Sequence, residues 1–170
     1  MKVLIILDQH SSSGQRETGS AYKSIRDFVR KQKIKGFYDF GEGVCHQVVL
    51  ENGHVSPGQL SLGTDPHVTA YGSVGAFSAS ITPTEMAAIW ASGRIWMKVP
   101  ESMKIIVKGR LNRGVYARDV ILKLVRDLAS EGADYKALEF CGPTISSMTV
   151  SERFTLTSHA HEIGAKSAMI

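Results

Sequence analysis

The sequence predicts an α/β protein made of layered, mostly parallel sheets flanked by helices. Apolar runs ending in carboxylates, KVLIILD at residues 2–8 and QLSLGTD at residues 59–65, have the form of buried strands that deliver a polar residue at their C-terminal ends. Segments with helical spacing or helix-start signals, residues 20–33, 82–92 and 117–130, fall between the strand-like runs. Strands alternating with helices pair in parallel, because each helix carries the chain back across the sheet.

Taken in order, the first strand ends at Asp8, the end at which open α/β sheets bind ligands. The polar run QHSSSGQRETG after it is a loop. Ala21, Ile25, Phe28 and Val29 recur with helical spacing, so residues 20–33 form an amphipathic helix. HQVVLE, residues 46–51, reads as a strand, followed by turn signals at Asn52-Gly53 and Ser56-Pro57-Gly58. QLSLG is the next strand. Residues 72–80 fit either a tightly packed helix or a loop. Thr82-Pro83-Thr84-Glu85 offers a threonine N-cap, proline at the first helical position and glutamate three residues after the cap. That helix runs to Ser92 and stops at Gly93.

Pro100 marks a boundary between two incomplete sub-domains, 1–100 and 101–170. In the second, Lys104–Leu111 is a strand, and Val120, Ile121, Leu124, Val125 and Leu128 give a helix over 117–130 one apolar face. ALEFCG is a short strand, and Thr149-Val150-Ser151-Glu152 is a second capping box, opening a helix toward His161. The tail at Met169-Ile170 follows a helix-like segment.

With 170 residues and 43% hydrophobic content the chain can bury a real core. Its net charge of +4 comes from basic residues scattered among acidic ones, which suits a solvated surface or an anionic small substrate and carries no nucleic-acid motif. Two cysteines, Cys45 and Cys141, exclude a disulfide framework and fit reduced thiols in the cytoplasm. Val3–Leu7 is too short for a signal-peptide core, and no run approaches the roughly 18 apolar residues of a membrane span.

The chemistry concentrates between Gly41 and Phe77, where His46, Asp65 and His67 stand among seven glycines. The polar groups to weigh across the chain are Asp8, His10, His46, Asp65, His67, His159, His161 and Glu162. A lyase needs one group to take a carbon-bound proton and an acid to protonate a departing hydroxyl. A carboxylate that orients and charges an imidazole suits the second task, so Asp65 and His67, with His46, are the candidate pair. Solvated loop histidines are the blander alternative. His159 and His161 invite a metal reading, but on a regular helix residues two apart point to different sides. Cys45 beside His46 reads as a buried, inert thiol. No P-loop, G-x-G-x-x-G, G-x-S-x-G or C-x-x-C is present.

The run GEGVCHQVVLENGHVSPGQLSLGTDPHVTAYGSVGAF, continued by ITPTEMAAIWASG, WMKVPE, GVYARDVILKL, LEFCG and HEIGAK, resembles the aconitase superfamily, specifically the large subunits of 3-isopropylmalate dehydratase and homoaconitase. The resemblance covers essentially the whole chain. It implies a hydro-lyase that isomerises a hydroxy acid by dehydration and rehydration, using a [4Fe-4S] cluster with one open iron as Lewis acid. Carried over by motif, it implies catalytic roles for Asp8, His46, Asp65, His67 and Glu162, which relay protons and position the substrate around an iron-bound hydroxyl. The chain departs from the family pattern at three places. Gln9 stands where the family has a histidine, with His10 one place on; Pro66 replaces the serine of Asp-Ser-His; Ser158 replaces an asparagine. The family's three cluster cysteines lie in a downstream part with a C-x-x-C pair, and Cys45 and Cys141 do not match them. The expectation is therefore a chain that acts only with the cluster-bearing portion of the large subunit and with a small subunit. The alternative is a non-catalytic remnant or interaction domain with a decayed site.

Overall fold

A computed structural model describes residues 2–8 and 16–170, which gather into two compact units, Met1–Asn52 and Gly53–Ile170. Gln9 and His10, named above as a departure and its neighbour, lie outside the described residues.

In the first unit β1 (Leu4–Ile6) pairs in parallel with β2 (Gly36–Tyr38), joined by the crossover helix α1 (Arg16–Gln32). The inward side of α1 is carried by Tyr22, Ile25, Arg26 and Val29, whereas Ala21 and Phe28, expected on the apolar face, are exposed. Arg26 takes the inward place because its guanidinium forms two 2.8 Å hydrogen bonds to Asp39 and lies over the Phe40 ring, which Tyr22 meets edge-on. The Asp39 carboxyl is held below its ordinary range chiefly by that guanidinium.

HQVVLE, expected as a strand, is instead the helix α2 (Cys45–Glu51). The cause is remote in sequence: the Asp8 carboxylate accepts the Cys45 N–H at 2.6 Å, satisfying an orphan donor at the helix start. Within the turn Val48 N–H donates to Val44 O, and Gln47 donates to Glu51 four residues on. Val48 and Val49 are both buried, which one strand with one covered face would not achieve.

The second unit begins with β3 (Leu60–Gly63), parallel to β4 (Phe77–Ser80). Between them lies a 3₁₀ segment, Pro66–Val74, so residues 72–80, read as a helix or a loop, are instead the end of that segment and the strand β4. Helix α3 (Pro83–Ser92) has the predicted capping box, with Glu85 N–H donating to Thr82 Oγ1 and Glu85 accepting the Thr82 N–H, and Gly93 closes it at φ 71°. A three-stranded parallel sheet follows, with β6 (Ala137–Cys141) between β5 (Ser102–Ile106) and β7 (Ser167–Met169). α4 (Ala117–Leu128) crosses from β5 to β6; α5 (Pro143–Ser146), α6 (Val150–Ser158) and a 3₁₀ turn, Ala160–Ile163, lead from β6 to β7. β7 replaces the expected helix-like tail. Its three residues are too few to show a period, and they become a strand because β6 offers them a ladder.

The core centres on β6: Leu138 between Ile121 of α4, Leu156 of α6, Ile163 and Ala168 of β7, all fully buried. Against β7 lies the 3₁₀ segment, with Ile170 N–H donating to Gly72 O at 3.1 Å. A Cβ at Gly72 would stand 1.5 Å from Ala168 O, so only glycine permits this approach. The fold is thus α/β with parallel pairing throughout the described strands, as predicted. Among the described residues no helix is long and apolar enough to cross a membrane.

Candidate functional site

The expected site residues fall in both units. In the first, Asp8 leaves the end of β1 and meets the backbone of Cys45 at the first turn of α2, which also carries the buried His46. Strand end and helix start therefore converge, as expected of the carboxyl end of a parallel pair.

In the second unit Asp65 and His67 form a contact pair just past β3. Asp65 is extended (φ −98°, ψ 140°), as a residue before proline must be, and caps the 3₁₀ segment by accepting the His67 N–H at 2.8 Å. The same oxygen lies 3.1 Å from His67 Nδ1. A carboxylate only accepts, so Nδ1 is the donor in this contact. Pro66 sits at the first helical position, where a missing N–H leaves no bond unmade. Substituting proline for serine here thus leaves the Asp65–His67 geometry standing.

His159 and His161 converge on the same histidine. Their ring centroids lie 6.4 and 4.4 Å from that of His67, both nearly perpendicular to it. The expectation that residues two apart diverge fails because α6 stops at Ser158 and the chain continues as a 3₁₀ turn with His159 at the junction. His159 Nδ1 donates to Thr155 O and His161 Nδ1 to Ser158 O, each at 2.9 Å. Glu162 places Oε1 3.5 Å from His161 Nε2. Ser158 is buried, its hydroxyl turned to Thr155 O and the His159 ring.

Residues 5–170 match the aconitase family, described as aconitate hydratase. The chain belongs to the aconitase family. Among its relatives, the probable 3-isopropylmalate dehydratase large subunit of Methanothermobacter thermautotrophicus is 42% identical over 99% of this chain. The probable methanogen homoaconitase large subunit of Methanosarcina mazei is 43% identical and the homoaconitase large subunit of Thermus thermophilus 41%, each over 99% of this chain. The chain spans about 40% of the length of these aconitase-family relatives, 40%, 43% and 40% respectively.

The family implies a [4Fe-4S] cluster. This chain's own residues do not make its cradle: the two cysteines lie in different units, Cys45 at the start of α2 and Cys141 at the end of β6, where three thiolates are needed.

Proposed function

We propose that this chain supplies proton-handling residues of a hydro-lyase that isomerises a hydroxy di- or tricarboxylic acid by dehydration and rehydration, as 3-isopropylmalate dehydratase and homoaconitase large subunits do. The observation that carries the reading is the Asp65–His67 contact. With Nδ1 anchored on a carboxylate, His67 in its imidazolium form can hand the Nε2 proton to a departing hydroxyl and take it back on rehydration. The carboxylate orients the ring and offsets its positive charge. His46 and Asp8, in the first unit, are further residues of the proposed set, with Asp8 also holding the first turn of α2 in register through Cys45 N–H. Glu162, on the turn after α6, is the further carboxylate of the proposed set.

The residues of this chain do not hold a cluster, and the proposed proton transfers rest on its own side chains. The proposed partners are the cluster-bearing portion of a large subunit and a small subunit, and the proposed setting is cytoplasmic amino-acid biosynthesis, leucine biosynthesis in the isopropylmalate case. A domain boundary near Pro100 is part of the proposal, supported by the irregular connection that precedes β5.

The test is hydration of the corresponding unsaturated acid by this chain combined with those partners, followed at the absorbance of the double bond. His67→Ala is expected to lower turnover about 10²- to 10⁴-fold, the usual worth of a positioned acid–base group. Asp65→Ala is expected to act in the same direction through the orientation of His67. Full activity in both variants would overturn the reading and favour a non-catalytic domain.

A further inference from the structure

We infer that His161 is a positioning residue for His67: its ring holds the plane of the His67 imidazole, so that Nε2 keeps one direction while Asp65 anchors Nδ1. The catalytic consequence rests on the hydro-lyase reading; the ring order itself does not.

The need for such a group follows from how the His67 ring is held. Two side-chain torsions set an imidazole in space. The Asp65 Oδ1 contact, 3.1 Å from Nδ1, fixes one corner of the ring and leaves the plane free to tilt about that corner. His67 keeps 45% of its side-chain surface exposed, so burial alone does not stop the tilt.

His161 supplies the restraint on the plane. Its ring centroid lies 4.4 Å from that of His67 with the planes 76° apart, an edge-to-face contact at the close end of the range for aromatic pairs. The His159 ring, at 6.4 Å, stands toward the far end. A close perpendicular ring resists tilt because rotation either opens the contact or drives edge into face.

His161 can serve as a wall because it is itself fixed. Its Nδ1 donates to Ser158 O at 2.9 Å, Glu162 Oε1 lies 3.5 Å from its Nε2, and its side chain is 24% exposed. The turn that carries it is set into the core by the fully buried Ala160 and Ile163. Its backbone is tied down as well, with Ala133 N–H donating to Ile163 O at 3.0 Å and Tyr135 N–H to Gly164 O at 2.9 Å. His67 is thus the more exposed ring of the pair, and His161 the anchored one.

The experiment separates the ring of His161 from its hydrogen bond. The full chain, labelled with ¹⁵N-histidine, reports the ratio of Nδ1–H to Nε2–H tautomer for neutral His67 at about pH 9, above the ordinary histidine range. His67→Ala assigns the signals. A tilting ring spends less time on Asp65, so the ratio falls when the plane is released. His161→Asn keeps a donor for Ser158 O without a ring, and is expected to lower the ratio about 2- to 10-fold, the worth of one aromatic pair. His161→Phe keeps a ring without the donor, and is expected to stay within about 2-fold of the parent. His159→Asn is expected to move the ratio less than His161→Asn does. With the partners of the proposed enzyme present, kcat is expected to follow the ratio while KM stays near the parent value.

In the parent chain a nuclear Overhauser contact between the two rings is expected, and its absence would overturn the inference without any variant. So would an unchanged ratio in His161→Asn, or a lowered ratio there with kcat untouched. A ratio lost in His161→Phe and kept in His161→Asn would overturn it too, since it would give His161 a role in the turn alone. A parent chain with ordered rings and no turnover beside its partners would instead overturn the hydro-lyase reading.

Discussion

Helices α2 and α6 both present candidate site residues, and they are specified in opposite ways. α6 starts from a box within its own sequence: Thr149 Oγ1 accepts the Glu152 N–H and Glu152 accepts the Thr149 N–H at 2.8 Å. α2 has no side-chain cap from its own N-cap residue, Val44, and draws its acceptor from Asp8, 37 residues earlier. A helix that carries its own start signal is readable in isolation and fails locally. One that borrows its start is legible only once the fold is assembled, and its failure reaches the strand that lent the group.

The largest expected effect belongs to a borrowed contact taken to its limit. Gly72→Ala would drive a Cβ into the Ala168 carbonyl, separating the His67-bearing segment from β7. A loss of about 4 kcal/mol or more is expected, as for the severe class of core clashes, and urea denaturation measures it. The Asp8→Ala change should cost about 1–2 kcal/mol, the upper part of the range for a lost helix cap. Hydrogen exchange should quicken at the first amides of α2 and along β1 together, whereas Asp8→Asn, which keeps an acceptor, should restore most of the protection. If Asp8→Ala leaves the α2 amides protected, α2 does not depend on its remote cap and the contrast collapses.

For the self-capped helix, Thr149→Ala should cost about 1 kcal/mol, with faster exchange confined to the first turn of α6. The smallest effect is acid sensitivity. Hydrogen bonds from the Thr149 backbone, then from its hydroxyl, hold the Glu152 carboxyl below its ordinary value of 4.5, and Thr82 does the same for Glu85. A carboxyl depressed in the folded state contributes stability above its unfolded value and loses it as pH falls through the lowered one. The fall therefore begins below about pH 4.5. In Glu152→Gln the melting temperature should vary slightly less with pH over that window. An unchanged slope would mean that the box is not held in solution.

The same contrast explains what the sequence made legible. Proline at the first helical position, Gly93 in the left-handed conformation and the two threonine–glutamate boxes are local devices, and α3 and α6 lie where those residues say. The apolar stripe of α4 was readable for the same reason. HQVVLE was not, because β-branched Val48 and Val49 favour a strand until Asp8 closes the first turn. β7 was missed because three residues carry no period.

In the site, the spacing of Asp65 and His67 past a strand pointed to their contact. The meeting of His159 and His161 at His67 was hidden, since it depends on where α6 ends. A histidine pair straddling a helix end is the signal that could have found it.

The close passage of Gly72 beneath Ala168 sets a timetable for the nascent chain. β3, the His67 segment and β4 are all synthesised by residue 80, yet the strand that covers Gly72 is complete only at residue 169. At roughly 5–20 residues per second, the ribosome takes about 5–20 s to make the intervening stretch. Throughout that interval the imidazole of His67 rides on a segment whose backing has not yet been made. The Asp65–His67 pair can be complete in sequence long before it is fixed in space, and β7, made later, is the strand that fixes it.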